Sequence, residues 1–219
     1  SPINCPFNEM IRLVEAVIGS MNDLAGVVVM SSPPSLLKLT TAMHEREAAA
    51  RWPVLRAVYG AGPLTLSQSA RIRETFPGAT VHSILSSSEG NAYGFSHGED
   101  CQVHTVLPES CFFWLRDEET GEPVETPGRT GEMVVSNLYC GYYPLNFLSN
   151  DRAEWIVPYD TFRLRGRRRD VLSFAEGGIR LEGAELAEII MQRCGGEACQ
   201  IHVIPDRRIE GVAAVVDDR

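Results

Sequence analysis

The sequence predicts an α/β fold: a mostly parallel sheet with crossover helices and an antiparallel hairpin region, followed by a small α+β C-terminal domain. Three observations predict it. Short runs rich in Val and Ile alternate with helix-like segments over residues 9–85, the pattern of parallel strands joined by crossover helices. Residues 111–138 instead alternate and turn like a hairpin. Beyond Gly166 come a Gly-Gly turn, an acidic helix and two more β-rich runs. A chain of 219 residues can hold a large and a small domain. The boundary is placed near 165, giving 1–165 and 166–219.

Each element has its own signal. Met10, Ile11, Val14, Val17 and Ile18 recur at helical spacing and stop at Gly19. The β-branched run GVVVM (26–30) reads as a buried strand. A proline pair then opens a helix with Ser35 near its N-cap. VLRAVYGAG (54–62) is a strand ending in glycines, a helix spans Ser67 to Phe76 before Pro77 and Gly78, and ATVHSIL (79–85) is the next strand. Farther on, strands at 111–116 and 131–138 flank a turn at Gly121. DVLSFAEGGIRL (170–181) reads as a hairpin with Gly177 and Gly178 in its turn. EGAELAEIIMQR is a helix with an Ile/Leu stripe, and QIHVIPD and EGVAAVVD are strands.

Composition excludes several classes. A net charge of -9 and a pI near 5.1 do not fit a nucleic-acid coat, which needs excess cations to neutralise phosphates. Five of the 20 basic residues nevertheless crowd into Arg163 to Arg169. The six cysteines are scattered, without the paired CxxC blocks of a zinc site. Packed thiols in a cytoplasmic protein are the expectation. No apolar run reaches the ~20 residues of a membrane span, and the first ten residues lack a signal peptide's basic start and apolar core. The histidines keep no fixed spacing to a Ser or Cys nucleophile.

Ligands of parallel sheets sit at the carboxyl ends of strands, here GAGP (60–63) and SSSEG (86–90). Hydroxyls and backbone N–H groups there suit phosphate oxygens, and Glu89 is a hard oxygen ligand suited to Mg²⁺. The same residues also read as a polar loop with a capping serine, and the glycines as a tight turn. Asp151, after a short polar turn, could accept two hydrogen bonds from a ribose diol, or could make an Asx turn. Arg167 can fork onto a carboxylate or phosphate. Arg163, Arg165, Arg168 and Arg169 read as a solvated face.

Taken in order, these pieces resemble the adenylate-forming enzymes: acyl- and aryl-CoA ligases, peptide-synthetase adenylation domains and luciferases. Gly60-Ala61-Gly62-Pro63-Leu64 is similar to that superfamily's Gly-Gly-x-x-Leu turn, and Leu85 to Glu89 to its Tyr-Gly-x-Thr-Glu loop. GRTGEMVVSNL resembles its Gly-Glu-Leu hairpin, and Phe147 to Asp151 stands where it has Tyr-Arg-Thr-Gly-Asp. Gly166-Arg167 with Asp170 resembles its Gly-Arg-x-Asp-Asp hinge. The resemblance runs from about residue 24 to 219, and the wording YPLNFLSND looks closest to phenylacetate–CoA ligases.

The resemblance implies ATP-dependent activation of a carboxylic acid to acyl-AMP, then transfer to CoA or a carrier-protein thiol. By the same match Ala61 and Gly62 line the adenine slot. Ser88, beside Ser86 and Ser87, contacts the α-phosphate of ATP or AMP. Glu89 holds Mg²⁺, Asp151 the ribose hydroxyls, Arg167 the ribose or phosphate, and Arg169 and Asp170 mark the hinge. Asn91, Tyr93 and Phe95 would line the acyl pocket and suit an aromatic or apolar acid.

The sequence also departs from the superfamily. Its only lysine is Lys38. The lysine-bearing phosphate loop would lie before residue 1 and the catalytic lysine beyond residue 219. Leu85 replaces a tyrosine that stacks on adenine, Asn150 replaces a glycine, and Arg169 replaces the hinge's first Asp. Two other readings therefore stay open: a non-catalytic binding or scaffold relative, and a cysteine-dependent acyl transferase using Cys140. Exposed sheet edges in a partial domain would favour a partner, a homodimer among the options.

Overall fold

The computed structural model describes residues 7–21, 26–45, 55–60, 64–87, 91–96, 98–137, 145–168, 171–174 and 179–194. The expectations for Ala61, Gly62, Ser88, Glu89, Cys140, Arg169, Asp170, the turn at Gly177 and Gly178 and the two last strands fall outside them.

The first half follows the predicted alternation. α1 (Phe7–Ser20) precedes β1 (Val27–Ser31), α2 (Pro33–Glu45), β2 (Leu55–Gly60), α3 (Leu66–Thr75) and β3 (Thr80–Ser87). β1, β2 and β3 are parallel neighbours. Ile11, Leu36, Leu39, Met43, Leu64, Ile72 and Phe76 pack with Val81 and Cys101 into one core. Two helix starts differ from expectation. α2 begins at Pro33, preceded by Ser32, whose carbonyl accepts from the Leu36 N–H, so Ser35 lies inside the first turn. α3 begins at Leu66 because Thr65 and Gln68 form a capping box, each side chain bonded to the other's backbone N–H.

The expectation of a mostly parallel sheet is corrected. One nine-stranded sheet runs β1-β2-β3-β4-β5-β9-β8-β7-β6, and from β3 onward its seven strands are antiparallel. The reason lies in chain length. Only residues 88–90 separate β3 from β4 (Asn91–Ser96), whereas a parallel return needs a crossover of a dozen residues or more. β4 stands where the sequence reading placed a pocket segment, and β5 (Val103–Val106) follows it. They are short, and carry Gly94, Ser96 and His104 at inward positions, so the usual apolar alternation is absent.

The remaining strands form a meander: β6 (Phe112–Arg116), β7 (Thr130–Ser136), β8 (Phe147–Val157) and β9 (Thr161–Arg167). They carry a second core around Phe113, Leu115, Met133, Val135, Trp155, Phe162 and Leu164. Its rings interlock, Phe113 lying 4.8 Å from Phe162 and 5.3 Å from Trp155. The Trp155 indole N–H donates to the Val124 carbonyl at 2.7 Å, so the ring is buried without an orphaned donor. β9 runs through residue 165 without a break. β10 (Val171–Phe174) and β11 (Ile179–Glu182) pair antiparallel as a separate two-stranded sheet, leading into α4 (Gly183–Cys194).

Candidate functional site

Asp151 lies within β8, not after a turn, and pairs in register with Arg167 at the open end of the β8–β9 hairpin. The Arg167 Nε is 3.5 Å from Asp151 Oδ1. Local backbone aims this pair. Asn150 has φ +61° and so sits in the left-handed region, which glycine and asparagine enter most easily. An asparagine can therefore serve where the resembling motif has glycine. The Asp151 N–H donates to Ser149 Oγ at 3.1 Å, and that hydroxyl donates to the Met133 carbonyl at 3.5 Å. The Asp151 side chain is 16% exposed and that of Arg167 is 52% exposed. A half-sheltered acceptor thus stands beside a guanidinium that reaches solvent.

The arginine run is not a cationic face. In β9, Phe162, Leu164 and Gly166 are buried while Arg163, Arg165 and Arg167 alternate with them. Arg163 binds Asp100 at 2.7 Å. Arg165 binds Glu154 and also Glu185 of α4, the latter at 2.6 Å. Arg168 reaches Glu132 at 3.1 Å. The expectation of a solvated face is therefore corrected for Arg163 and Arg165, which are sheltered in ion pairs, whereas Arg168 stays exposed while paired. Each described guanidinium of the run meets a carboxylate contributed by a different part of the sequence, which offsets its charge locally. Glu132 is itself nearly inaccessible and is also 3.8 Å from Arg116. In register Glu132 stands between Arg116 and Arg152, and Arg152 binds Glu118 at 2.5 Å. A buried carboxylate is tolerable only with such company.

Ser86 and Ser87, both half-buried, end β3 and pair with Ala92 and Asn91 of β4. Traced through the register of β4, β5 and β9, they stand level with the β8–β9 turn, whereas Asp151 and Arg167 stand at the hairpin's other end. The structure thus joins Asp151 to Arg167 and sets the serine pair apart from them along the strands. Asn91 opens β4. A bulge at Leu85/Ser86 makes Tyr93 the extra residue of β4, and Tyr93 is 1% exposed in the second core. Phe95 is half-buried and stacks on His82, their rings 5.2 Å apart. Leu85 belongs to that same core.

Sequence reasoning missed a buried polar network. His104 is fully buried, and its Nδ1 lies 3.0 Å from the Gln102 carbonyl. A carbonyl can only accept, so Nδ1 carries the proton and Nε2 accepts from the Ser83 hydroxyl at 2.8 Å. The Ser83 N–H donates to Ser96 Oγ at 2.5 Å. Burial holds the His104 pKa down at about 4. Ser83 and His104 form a nucleophile–base pair in outline, but at 3% and 0% exposure no substrate reaches them. They are 21 positions apart with no motif around them, so no local signal could have found the pair. Burial also raises the thiol pKa values of Cys101 and Cys111, the latter to about 11. Among the described residues no three His, Cys, Asp or Glu side chains gather as metal ligands, and no helix is long and apolar enough to cross a membrane.

No family profile and no curated protein matches the chain. Solved structures do match. The anthranilate CoA ligase AuaEII, in complex with anthranoyl-AMP, superposes with a TM-score of 0.64 at 15% identity, covering 91% of this chain and 40% of that one. A benzoate CoA ligase from Burkholderia xenovorans LB400 gives 0.58 at 14% identity, covering 81% and 37%. The chain therefore has the fold of adenylate-forming enzymes and spans about two fifths of the length of these two ligases.

Proposed function

We infer that this chain is part of an acid–thiol ligase that activates a carboxylic acid, aromatic or apolar, through an acyl-AMP. The observation that carries the reading is the Asp151–Arg167 pair at the open end of β8–β9. A carboxylate with two oxygens suits a vicinal diol, and a solvent-reaching guanidinium suits a phosphate. Both chemistries belong to AMP, and the AuaEII structure contains anthranoyl-AMP. In this reading Asp151 orients the ribose, exchanging part of its contact with Arg167 for the hydroxyls. Arg167 lies against the phosphate, and Ser86 and Ser87 border the loop that carries Ser88 and Glu89. ATP supplies the activating phosphoanhydride: the acid's oxygen bonds to the α-phosphorus, pyrophosphate leaves, and a thiol later displaces AMP. The protein's part is positioning and charge neutralisation. Mg²⁺ at Glu89, CoA or a carrier-protein thiol as acceptor, an acyl pocket at Asn91 and Phe95, a hinge at Arg169 and Asp170 between two domains, pairing with a second copy and a cytoplasmic setting all belong to this proposal.

Calorimetric titration with AMP tests it. Asp151→Ala should weaken AMP at least tenfold, about 1.4 kcal/mol. Equal affinity in the variant refutes the ribose assignment. One observation favours a second reading, a non-catalytic relative of the same fold. Leu85 occupies the position of the base-stacking tyrosine but is 5% exposed in the core, so it offers no face to an adenine. That reading predicts no thermal stabilisation by AMP or ATP.

A further inference from the structure

Where β3, β4 and β5 lie side by side, the sheet has one closed face and one half-open face. Val81, Ser83, Leu85, Ser96 and His104 are buried on the closed side. The residues that alternate with them, His82, Ile84, Phe95 and Thr105, are all half-buried. Register makes these neighbours: Ile84 pairs with Phe95, and Phe95 with Thr105. His82 is two residues from Ile84 along β3, and its ring stacks on Phe95 at 5.2 Å with 23° between the planes. His82 Nδ1 lies 3.2 Å from the Ser96 carbonyl. A carbonyl only accepts, so Nδ1 holds the proton and Nε2 keeps a lone pair. No hydrogen bond among the described residues uses that lone pair. The stack and the Nδ1 contact thus fix the ring and leave one acceptor open.

We propose that His82 is a specificity residue of the acid site: Ile84 and Phe95 form the apolar bed for an aromatic carboxylic acid, and His82 Nε2 accepts a hydrogen bond from a hydroxyl or amino group at the far end of its ring. This rests on the acid-activating reading above and narrows it to a class of acid. Strand spacing sets the length of that acid. Ser86, half-buried on the same face and at the lip of the phosphate loop, is four residues from His82, about 13 Å of strand. A hydrogen bond of about 3 Å at each end leaves room for one ring, with the carboxylate and the donor para to each other. A ring without the donor covers Nε2 and leaves it unpaired, which costs affinity as well.

Calorimetric titration of the unaltered protein with AMP present tests it, using 4-hydroxybenzoate and 4-methylbenzoate as probes of nearly equal size. The hydroxy acid should bind at least about fivefold tighter, the worth of one neutral hydrogen bond. His82→Phe should erase that preference without weakening the methyl acid. His82→Gln, which keeps an acceptor, should retain part of it; a side chain that only packs on Phe95 gives no such discrimination. Equal affinities in the unaltered protein, a preference for the methyl acid, or no binding of either acid overturns the role of His82. Titration with AMP alone separates this proposal from the reading beneath it. AMP bound without selectivity between the acids overturns the His82 assignment and leaves the nucleotide reading standing. Selectivity that His82→Phe abolishes, without AMP binding, keeps the acid site and overturns the nucleotide reading.

Discussion

Replacing His104 with glutamine should remove a pH dependence of stability that the buried network builds in. His104 is 0% exposed, and burial lowers its pKa from 6.5 to about 4. The folded state therefore binds this proton less readily than the unfolded state does. Above pH 6.5 neither state is protonated and the neutral ring stabilises fully. As pH falls from 6.5 toward 4 the unfolded chain takes up the proton while the folded chain refuses it, and stability is lost. Below about 4 both bind it and the loss stops growing. A depression of this size corresponds to about 3 kcal/mol across that window. Glutamine keeps a donor for Gln102 and an acceptor for Ser83, so the variant should still fold. Urea unfolding of both proteins at a series of pH values isolates the effect, because carboxylate titrations cancel in the difference. The stability advantage of the natural protein should shrink by about 3 kcal/mol between pH 7 and pH 4. A difference that stays constant over that range refutes the assignment of His104 as a buried neutral acceptor.

Gly94→Ala should destabilise by about 1–3 kcal/mol, because a Cβ there would stand 2.9 Å from Phe162 Cζ and 3.3 Å from the His104 Cβ; thermal unfolding reads the cost, and Phe162→Leu in the same background should recover part of it. Cys111, with its thiol pKa pushed up to about 11 and its surface 7% exposed, should carry on the order of one thiolate per thousand molecules at pH 8. A disulfide reagent should therefore label it only on addition of denaturant, and fast labelling of the native protein would contradict the placement of β6.

The helices and the Val/Ile-rich strands were legible because their signals are local: Ile11, Val14 and Ile18 repeat at helical spacing, and Val27 and Val29 alternate toward the helices; the expectation that the GVVVM strand is buried is corrected, because β1 is an edge strand and Val28 and Met30 are exposed. The antiparallel turn of the sheet was not. His104 and Ser96 are polar residues at buried positions, acceptable because both meet Ser83 of β3, and those pairings are non-local. Asp151 and Arg167 could be picked out singly from the resemblance, yet their mutual contact arises from a register that no short motif encodes. The arginine run misled for the same reason. Asp100, Glu132, Glu154 and Glu185 lie far from it or on other strands, and only folding brings them to it.

The strand order also fixes a sequence of assembly. β6 through β9 are neighbours both in sequence and in the sheet, and only residues 158–160 separate β8 from β9, so these pairings close over far shorter spans than β5 with β9. β5, by contrast, pairs with β9 across about sixty positions of chain. That long loop closes late unless the meander has already prepared its edge, because contacts between distant segments slow folding. β9 is then the seam on which the two halves of the sheet meet, and Phe162, which lies against both His104 and Trp155, closes it. A chain emerging from synthesis in order must hold β1 to β5 with a bare edge until β9 arrives, and unpaired sheet edges of that kind invite aggregation.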